Sequence, residues 1–189
     1  MTDLNENEFH RDLLAAADEE VAWRMLRERY EQSLYEQATR GLGSNIEAQE
    51  AVREVLINAW TNLQNTEVAE SLSGYLSTAL KYCMIKYVAR MSRKGMHTPF
   101  SIEDLQAGLS PEELIRYREL QELIAHGVEA LSMRMRAIYE MSQVQRLPTK
   151  EIAKKLGIAD QTVRNHLHVT LKRLHKHSMG HTPLASILF

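Results

Sequence analysis

The chain has 189 residues, of which 44% are hydrophobic and 25% charged, and its formal net charge is −2. This hydrophobic content, together with few Gly and Pro residues, excludes disorder over most of the chain and indicates a helix-rich protein large enough for two compact domains. A single cysteine excludes an internal disulfide, no run reaches the roughly 18 apolar residues of a membrane span, and no signal-peptide pattern opens the chain, so we expect a cytoplasmic protein.

Three amphipathic helices are predicted in the first half of the chain. Apolar residues recur there every three or four positions, which is the spacing at which a helix buries one face. These helices would cover residues 21–34, 46–63 and 72–91. Gly41 and Gly43 follow the first of them and predict its end. We therefore predict one helical domain over residues 1–91, in which the three helices share a core.

A change of pattern after this domain predicts a linker. The stretch from Ser92 to Ser110 loses the helical period and contains Gly95, Pro99 and Gly108. We predict a flexible linker over residues 92–111.

A second helical domain is predicted over residues 112–189. Pro111 suits the first turn of its first helix, and Glu112 and Glu113 suit the positive end of that helix. No strand pattern occurs anywhere. The predicted fold class is therefore all-α, with two helical domains joined by a flexible linker.

Charge is distributed unevenly along these elements. Residues 1–60 contain thirteen acidic residues and six Lys or Arg, whereas residues 81–96 contain five Lys or Arg and no acid. Residues 146–177 contain eight Lys or Arg and two acids. Because basic surfaces attract phosphate, we expect contact with nucleic acid in each half of the chain. Two solvated helix faces are the alternative interpretation.

The string TKEIAKKLGIADQTVRNHLHVTLKRL, which follows Pro148, predicts a helix-turn-helix. Thr149 would cap the first helix through its hydroxyl, Gly157 would supply the turn, and Val163 would start the buried stripe of the second helix. Polar side chains fall on the opposite face of that helix, which suits the major groove of DNA. We predict DNA contact by Gln161, Arg164, Asn165, His168 and Lys172. A plain helical hairpin could share the Ala, Gly and Leu positions, but the polar face and basic surroundings favour DNA binding.

The segment from Leu123 to Lys176 resembles the fourth conserved region of extracytoplasmic-function (ECF) sigma factors, through EIAKKLGI followed by TVRNHL. In that family this region recognises the minus-thirty-five promoter element. The resemblance implies promoter DNA and core RNA polymerase as partners. The sequence departs from the family pattern in two places. Ala159 replaces a usual Ser cap, so Asp160 is expected to supply a carboxylate there, and Val169 and Thr170 lie where many relatives have another Arg.

The segment EAQEAVREVLINAW, from Glu47 to Trp60, is similar to the second conserved region of the same family. In relatives this helix docks on the clamp helices of the largest polymerase subunit. If Val52, Val55 and Ala59 are buried, the opposite face of this helix forms a stripe that points to solvent. An exposed Ile among charged residues on such a stripe can mark a contact surface. The predicted polymerase contacts are Glu50, Arg53, Glu54 and Ile57. A solvated face is the alternative, because single exposed apolar residues are common.

The segment GYLSTALKYCMIKYVAR resembles the part of the family that captures and melts the minus-ten element. Four of its residues are predicted to lie outside the buried stripe and to contact DNA: Lys81, Tyr82, Lys86 and Arg90. The cations would follow the phosphate backbone, and Tyr82 would stack on an unpaired base. Residues 62–73 would form the loop beside the base pocket.

Other functions have less support from the sequence. No glycine-rich phosphate loop, nucleophile motif or paired metal-ligand spacing occurs, so we expect no catalytic residue, metal or cofactor. The histidines at positions 166, 168, 175 and 177 include pairs two residues apart, which point to different sides of a helix. A helix-turn-helix regulator that binds DNA without being a polymerase subunit remains as the alternative.

Two further expectations concern partners. The resemblance implies an anti-sigma factor, which in many relatives masks these surfaces, although no residue of this chain identifies one. The apolar tail SMGHTPLASILF, residues 178–189, would pack against its own domain or contact a partner.

Overall fold

The computed structural model describes residues 3–16, 18–63 and 71–179, and within these ranges the regular structure is entirely helical, as predicted. The helices in chain order are α1 (Asp3–Ala15), α2 (Glu19–Leu42), α3 (Asn45–Leu63), α4 (Leu72–Arg93), α5 (Ile102–Ala107), α6 (Pro111–Glu129), α7 (Met133–Tyr139), α8 (Thr149–Leu156) and α9 (Asp160–Met179). The chain forms two compact units, and the boundary between them lies between Leu114 and Ile115. Most of the predicted loop beside the base pocket and almost all of the apolar tail lie outside the described residues.

Helices α2, α3 and α4 form the core of the first unit. Their apolar stripes meet, and Leu26, Val55 and Leu76, one from each helix, are completely buried. Cys83 is buried in the same core, with its sulfur 3.9 Å from the Ala51 carbonyl oxygen. The thiol therefore packs as a small hydrophobic side chain. The prediction that three helices share one core is confirmed.

The ends of these helices follow the expected chemistry. Gly43 ends α2 in the left-handed conformation, with φ of 66°, and its N–H donates to the Thr39 carbonyl at 2.9 Å. Ser71 precedes α4, and its hydroxyl oxygen accepts a hydrogen bond from the Gly74 N–H at 3.0 Å.

Helix α5 lies inside the predicted linker and was not predicted from the sequence. Its start is a capping box, in which the Ser101 N–H donates to the Asp104 carboxylate at 2.9 Å and the Asp104 N–H donates to the Ser101 hydroxyl at 3.1 Å. The helix packs against α4. Its six residues complete too few turns for an apolar period to show in the sequence.

Two apolar clusters hold the second unit together, and α7 contributes to both. Leu131, Met135, Tyr139 and Leu174 form one, and Ile138, Ile152, Ala153 and Val163 form the other. A π-helical turn, Glu140–Val144, follows α7, and Arg146 beyond it has a φ of 54°. This irregular turn leads the chain into the helix-turn-helix.

Candidate nucleic-acid interface

Helices α8 and α9 form the predicted helix-turn-helix. Gly157 joins them with φ of 63°, and the completely buried side chains of Ile152 and Val163 pack the two helices together. One local expectation is wrong. Helix α8 begins at Thr149 itself and has no side-chain cap, because a capping hydroxyl must belong to the residue before the first turn, which is Pro148.

The outer face of α9 presents the five residues predicted to contact DNA. All five are exposed, whereas Val163 and Thr170 on the other side of the helix are completely buried. The Gln161 amide donates to the Asn165 amide oxygen at 3.0 Å. Arg164 forms an ion pair with Asp160, and its side chain remains 57% exposed. The polar face is therefore continuous and open to solvent, and contact with DNA stays a prediction.

The outward stripe of α3 has the predicted orientation, with one difference. Glu50, Arg53 and Ile57 are exposed, and Ile57 retains 43% of its accessible surface. Glu54 is partly buried instead, because its carboxylate turns towards α4. It accepts hydrogen bonds there from the Lys86 ammonium and, at 3.3 Å, from the Tyr87 hydroxyl.

Two of the predicted DNA-binding cations on α4 contact acids of α3. Lys86 forms an ion pair with Glu54, and the Arg90 guanidinium lies 3.9 Å from the Glu50 carboxylate. Arg90 also lies over the Tyr87 ring, 4.2 Å from its centroid. Burial and the nearby Glu54 carboxylate raise the pKa of the Tyr87 hydroxyl, so it stays protonated and able to donate. Two residues predicted for DNA, Lys86 and Arg90, thus form one network with two predicted for polymerase, Glu50 and Glu54.

The prediction that Tyr82 lies outside the buried stripe is wrong. Tyr82 is completely buried, and its hydroxyl donates to the Glu113 carbonyl oxygen at 2.6 Å. Residues after the predicted linker cover this side of α4, so the helix is buried on more than the one face that faces α2 and α3. The ring is not exposed for stacking on a base in this arrangement.

Lys81 lies on the same side of α4 and forms an ion pair with Glu113. Its ammonium is 2.9 Å from one Glu113 carboxylate oxygen and 3.1 Å from the other, and the Thr78 hydroxyl donates to the same carboxylate at 2.7 Å. Partial burial opposes ionisation of Glu113. Hydrogen bonds from the Ser110 N–H, Lys81 and Thr78 outweigh it and hold the pKa of Glu113 below its ordinary value. Glu113 is therefore a carboxylate bound by α4.

Two further structural observations concern membranes and metals. No described helix is both long enough and apolar enough to cross a bilayer. In the part of the chain that the structure describes, no three His, Cys, Asp or Glu side chains come together as a metal site.

Comparison with known proteins covers both units. Residues 26–94 match the family described as Sigma-70 region 2, and residues 121–174 match Sigma-70, region 4. The chain is also 30% identical, over 168 residues, to the ECF RNA polymerase sigma factor SigL of Mycobacterium tuberculosis, with the Erdman and Oshkosh strains giving the same result. That similarity covers 85% of this chain and 90% of the relative.

The chain belongs to the ECF RNA polymerase sigma factors. It is an alternative sigma factor of transcription initiation, and this membership implies core RNA polymerase and promoter DNA as its partners. A regulator that works without polymerase would not account for the match to region 2, so that alternative is set aside.

Sequence reasoning missed two functional candidates of this sigma factor, Thr78 and Glu113. Glu113 lies between the two matched regions, so no family resemblance points to it. The spacing from Ser110 to Glu113 is that of a capping box, and both of its hydrogen bonds form. That signal predicts where α6 begins. It does not predict the contact with Lys81, which depends on how the chain returns to α4.

Proposed function

We propose that this sigma factor uses three helical surfaces in initiation. Helix α9 would read the upstream promoter element, α4 would hold the melted minus-ten element, and α3 would dock on core RNA polymerase. Residues 1–91 and 112–189 would be the two functional domains, joined by residues 92–111. The protein would act by binding, with no catalytic residue, metal or cofactor of its own, and in the bacterial cytoplasm where polymerase works.

The surface of α9 carries this proposal. Five polar or basic side chains are exposed on one face of a helix whose other face is buried against α7 and α8. Arg can pair with two acceptors of guanine, and Asn and Gln can pair with adenine, so this face has the donors that distinguish base pairs in the major groove.

The role proposed for α4 is supported by its charge and by its carboxylate partners. Lys81, Lys86 and Arg90 each lie near a glutamate from another part of the first unit. Phosphate groups of DNA are ligands of the same charge and could take the place of these carboxylates. The proposed site would therefore exchange protein anions for DNA anions when the promoter binds.

Reconstitution with purified core RNA polymerase tests the proposal. The full chain should co-elute with core enzyme in gel filtration, and the holoenzyme should transcribe templates selected from a randomised promoter library. Arg164→Ala should weaken transcription from the selected templates, whereas Arg173→Ala, an equal charge change at an exposed position of α9 outside the predicted face, should not. Elution of the chain apart from core enzyme would contradict the proposal.

We also propose an anti-sigma partner, on the basis of the family resemblance. It would cover the polymerase-binding stripe of α3 and thereby compete with core enzyme. A candidate protein should prevent co-elution of the chain with core polymerase, and a candidate that binds without preventing it would contradict this mode of inhibition.

A further inference from the structure

One carboxylate links α4 to the start of α6 within the first unit. The Glu113 side chain accepts hydrogen bonds from Thr78 and Lys81 of α4 and, at 2.8 Å, from the Ser110 N–H that precedes α6. The Glu113 carbonyl accepts from the Tyr82 hydroxyl. The Glu113 side chain is only 18% exposed. Helix α4 thus has a place that binds an anion through one ammonium and one hydroxyl.

We propose that Thr78 and Lys81 form a binding site for a backbone phosphate of single-stranded promoter DNA, and that Glu113 occupies this site in the free protein as an intramolecular competitor. The inference rests on the proposed role of α4 at the minus-ten element. It adds Thr78 to the DNA contacts and identifies the group that DNA must displace.

The chemistry of the two anions makes them alternatives. A carboxylate and a phosphodiester each have one negative charge and accept hydrogen bonds from ammonium and hydroxyl groups. A Thr hydroxyl has a single proton to donate, so Thr78 can serve one anion at a time. Binding of a phosphate at the Thr78 hydroxyl therefore excludes Glu113 from that donor, whereas the three N–H groups of Lys81 can pass from one anion to the other.

Displacement of Glu113 has a second consequence at Tyr82. The Glu113 carbonyl accepts the Tyr82 hydroxyl proton, so movement of the Glu113 backbone away from α4 would break that hydrogen bond and remove one contact at the hydroxyl end of the ring. Aromatic rings stack on unpaired bases in single-stranded DNA complexes. The stacking role that the sequence predicts for Tyr82 would therefore require the DNA-bound form.

A phosphate can approach Lys81 from solvent before the carboxylate leaves. The Lys81 side chain is 32% exposed, and it lines a cavity of about 360 Å³ together with Arg40 and Phe100. Arg40 adds a second positive charge to this approach, and Asp104 adds one negative charge, so the lining side chains together have a net charge of +1. The phosphate would therefore be attracted to the same opening from which it replaces Glu113.

The test compares Glu113→Gln with Glu103→Gln in the full chain. Glutamine retains the acceptor of the capping box, so α6 keeps its start, but the charge that competes for Lys81 is lost. Glu103 is exposed on α5, and its substitution makes the same change in net charge. The probe is a fluorescein-labelled 20-nucleotide single-stranded DNA of mixed sequence, whose binding is followed by fluorescence anisotropy.

We expect Glu113→Gln to bind the probe about two- to fivefold more tightly than the unaltered chain, the size that follows from losing one partly exposed ion pair. Glu103→Gln should bind as the unaltered chain does. Adding Thr78→Val to Glu113→Gln should remove about half or more of the gain, because the phosphate loses a hydroxyl donor. Thermal unfolding of each variant verifies that it folds.

Three outcomes would overturn the inference. These are no gain for Glu113→Gln, an equal gain for Glu103→Gln, and a gain that Thr78→Val leaves unchanged. Failure of the proposed function looks different, because the unaltered holoenzyme would then not open a promoter, or Lys81→Ala and Lys86→Ala would open it normally. The competitor role of Glu113 alone would be rejected by a different result. In that case the unaltered holoenzyme opens the promoter normally, the two lysine variants are defective, and Glu113→Gln has no effect.

Discussion

Lys86 and Glu54 form an ion pair that joins α4 to α3. The sequence predicts Lys86 as a DNA contact and Glu54 as a polymerase contact, so the structure connects two surfaces that were predicted as separate. Arg90 and Glu50 repeat this relationship at 3.9 Å. A polymerase that attracted these carboxylates would leave the two cations available to phosphate, so binding of core enzyme and binding of DNA would favour each other.

Glu54→Gln should destabilise the chain by about 1 to 3 kcal/mol, because Lys86 would remain partly buried without its carboxylate and the Tyr87 hydroxyl would lose a charged acceptor. Urea unfolding at neutral pH measures this free energy. Glu28→Gln, at an exposed position of α2, is the charge-matched control and should change the free energy by less than about 0.5 kcal/mol. Equal effects of the two substitutions would show that the ion pair does not stabilise the α3–α4 contact.

Arg164→Ala should weaken promoter binding by the holoenzyme by about 1 to 3 kcal/mol if Arg164 reads a base, and should relax specificity at one position of the upstream element. Asp160→Asn should have the opposite tendency, because Arg164 would no longer be paired with a carboxylate. Binding to a panel of templates with single substitutions measures both effects. An equal loss on every template would instead identify a phosphate contact.

Ile57→Asp should weaken binding to core RNA polymerase by about 1 to 2 kcal/mol. The Ile57 side chain is 43% exposed in the free chain, and the proposed interface would bury this apolar surface. Biolayer interferometry with immobilised core enzyme measures the affinity. Val21→Asp, at a similarly exposed position of α2, is the control. If both variants bind core enzyme as the unaltered chain does, α3 does not dock through this stripe.

The contribution of Glu113 to stability should depend on pH. Its pKa in the folded chain is below the ordinary value of 4.5, so the stabilisation it provides is complete above about pH 4.5 and is lost as the pH falls through the lower folded value. The difference in unfolding free energy between the unaltered chain and Glu113→Gln should therefore stay constant from neutral pH down to about pH 4.5 and shrink as the pH falls further. Asp104 also has a lowered pKa, through hydrogen bonds with Ser101, and its titration is common to both proteins. A difference that stays constant as the pH falls below about 4.5 would contradict the prediction.

Gly157→Ala should destabilise the second unit by about 1 to 2 kcal/mol, because an L-residue is strained at φ of 63°, although no atom beyond the residue and its chain neighbours lies within 4 Å of the added carbon. Gly157→Asn should cost less, since Asn tolerates this conformation better. Gly108→Ala is the control, because Gly108 has an ordinary φ of −80°. Urea unfolding compares the three variants, and equal effects at both glycines would argue against strain at the turn.

The local pattern of apolar and polar residues was sufficient to predict α2, α3, α4, α8 and α9 and much of the candidate site, but not α5. A period of three or four residues predicts which side of α9 faces inward, and the buried Val163 and exposed Arg164 agree with it. Gly43 and Gly157 mark chain reversals because the left-handed conformation is readily accessible to glycine. These features depend on residues close together in the chain, so they can be predicted from the sequence alone.

Tertiary packing decided the rest, above all the partners of the charged residues. Tyr82 and Glu113 are separated by 31 positions, and Lys86 and Glu54 by 32. A helical pattern predicts that such side chains lie off the core stripe, but it contains no information on which distant segment returns to cover them. Their burial and pairing follow from the path of the chain through α3 and into α6. The pairing of the α4 cations with carboxylates therefore exists only in the folded unit.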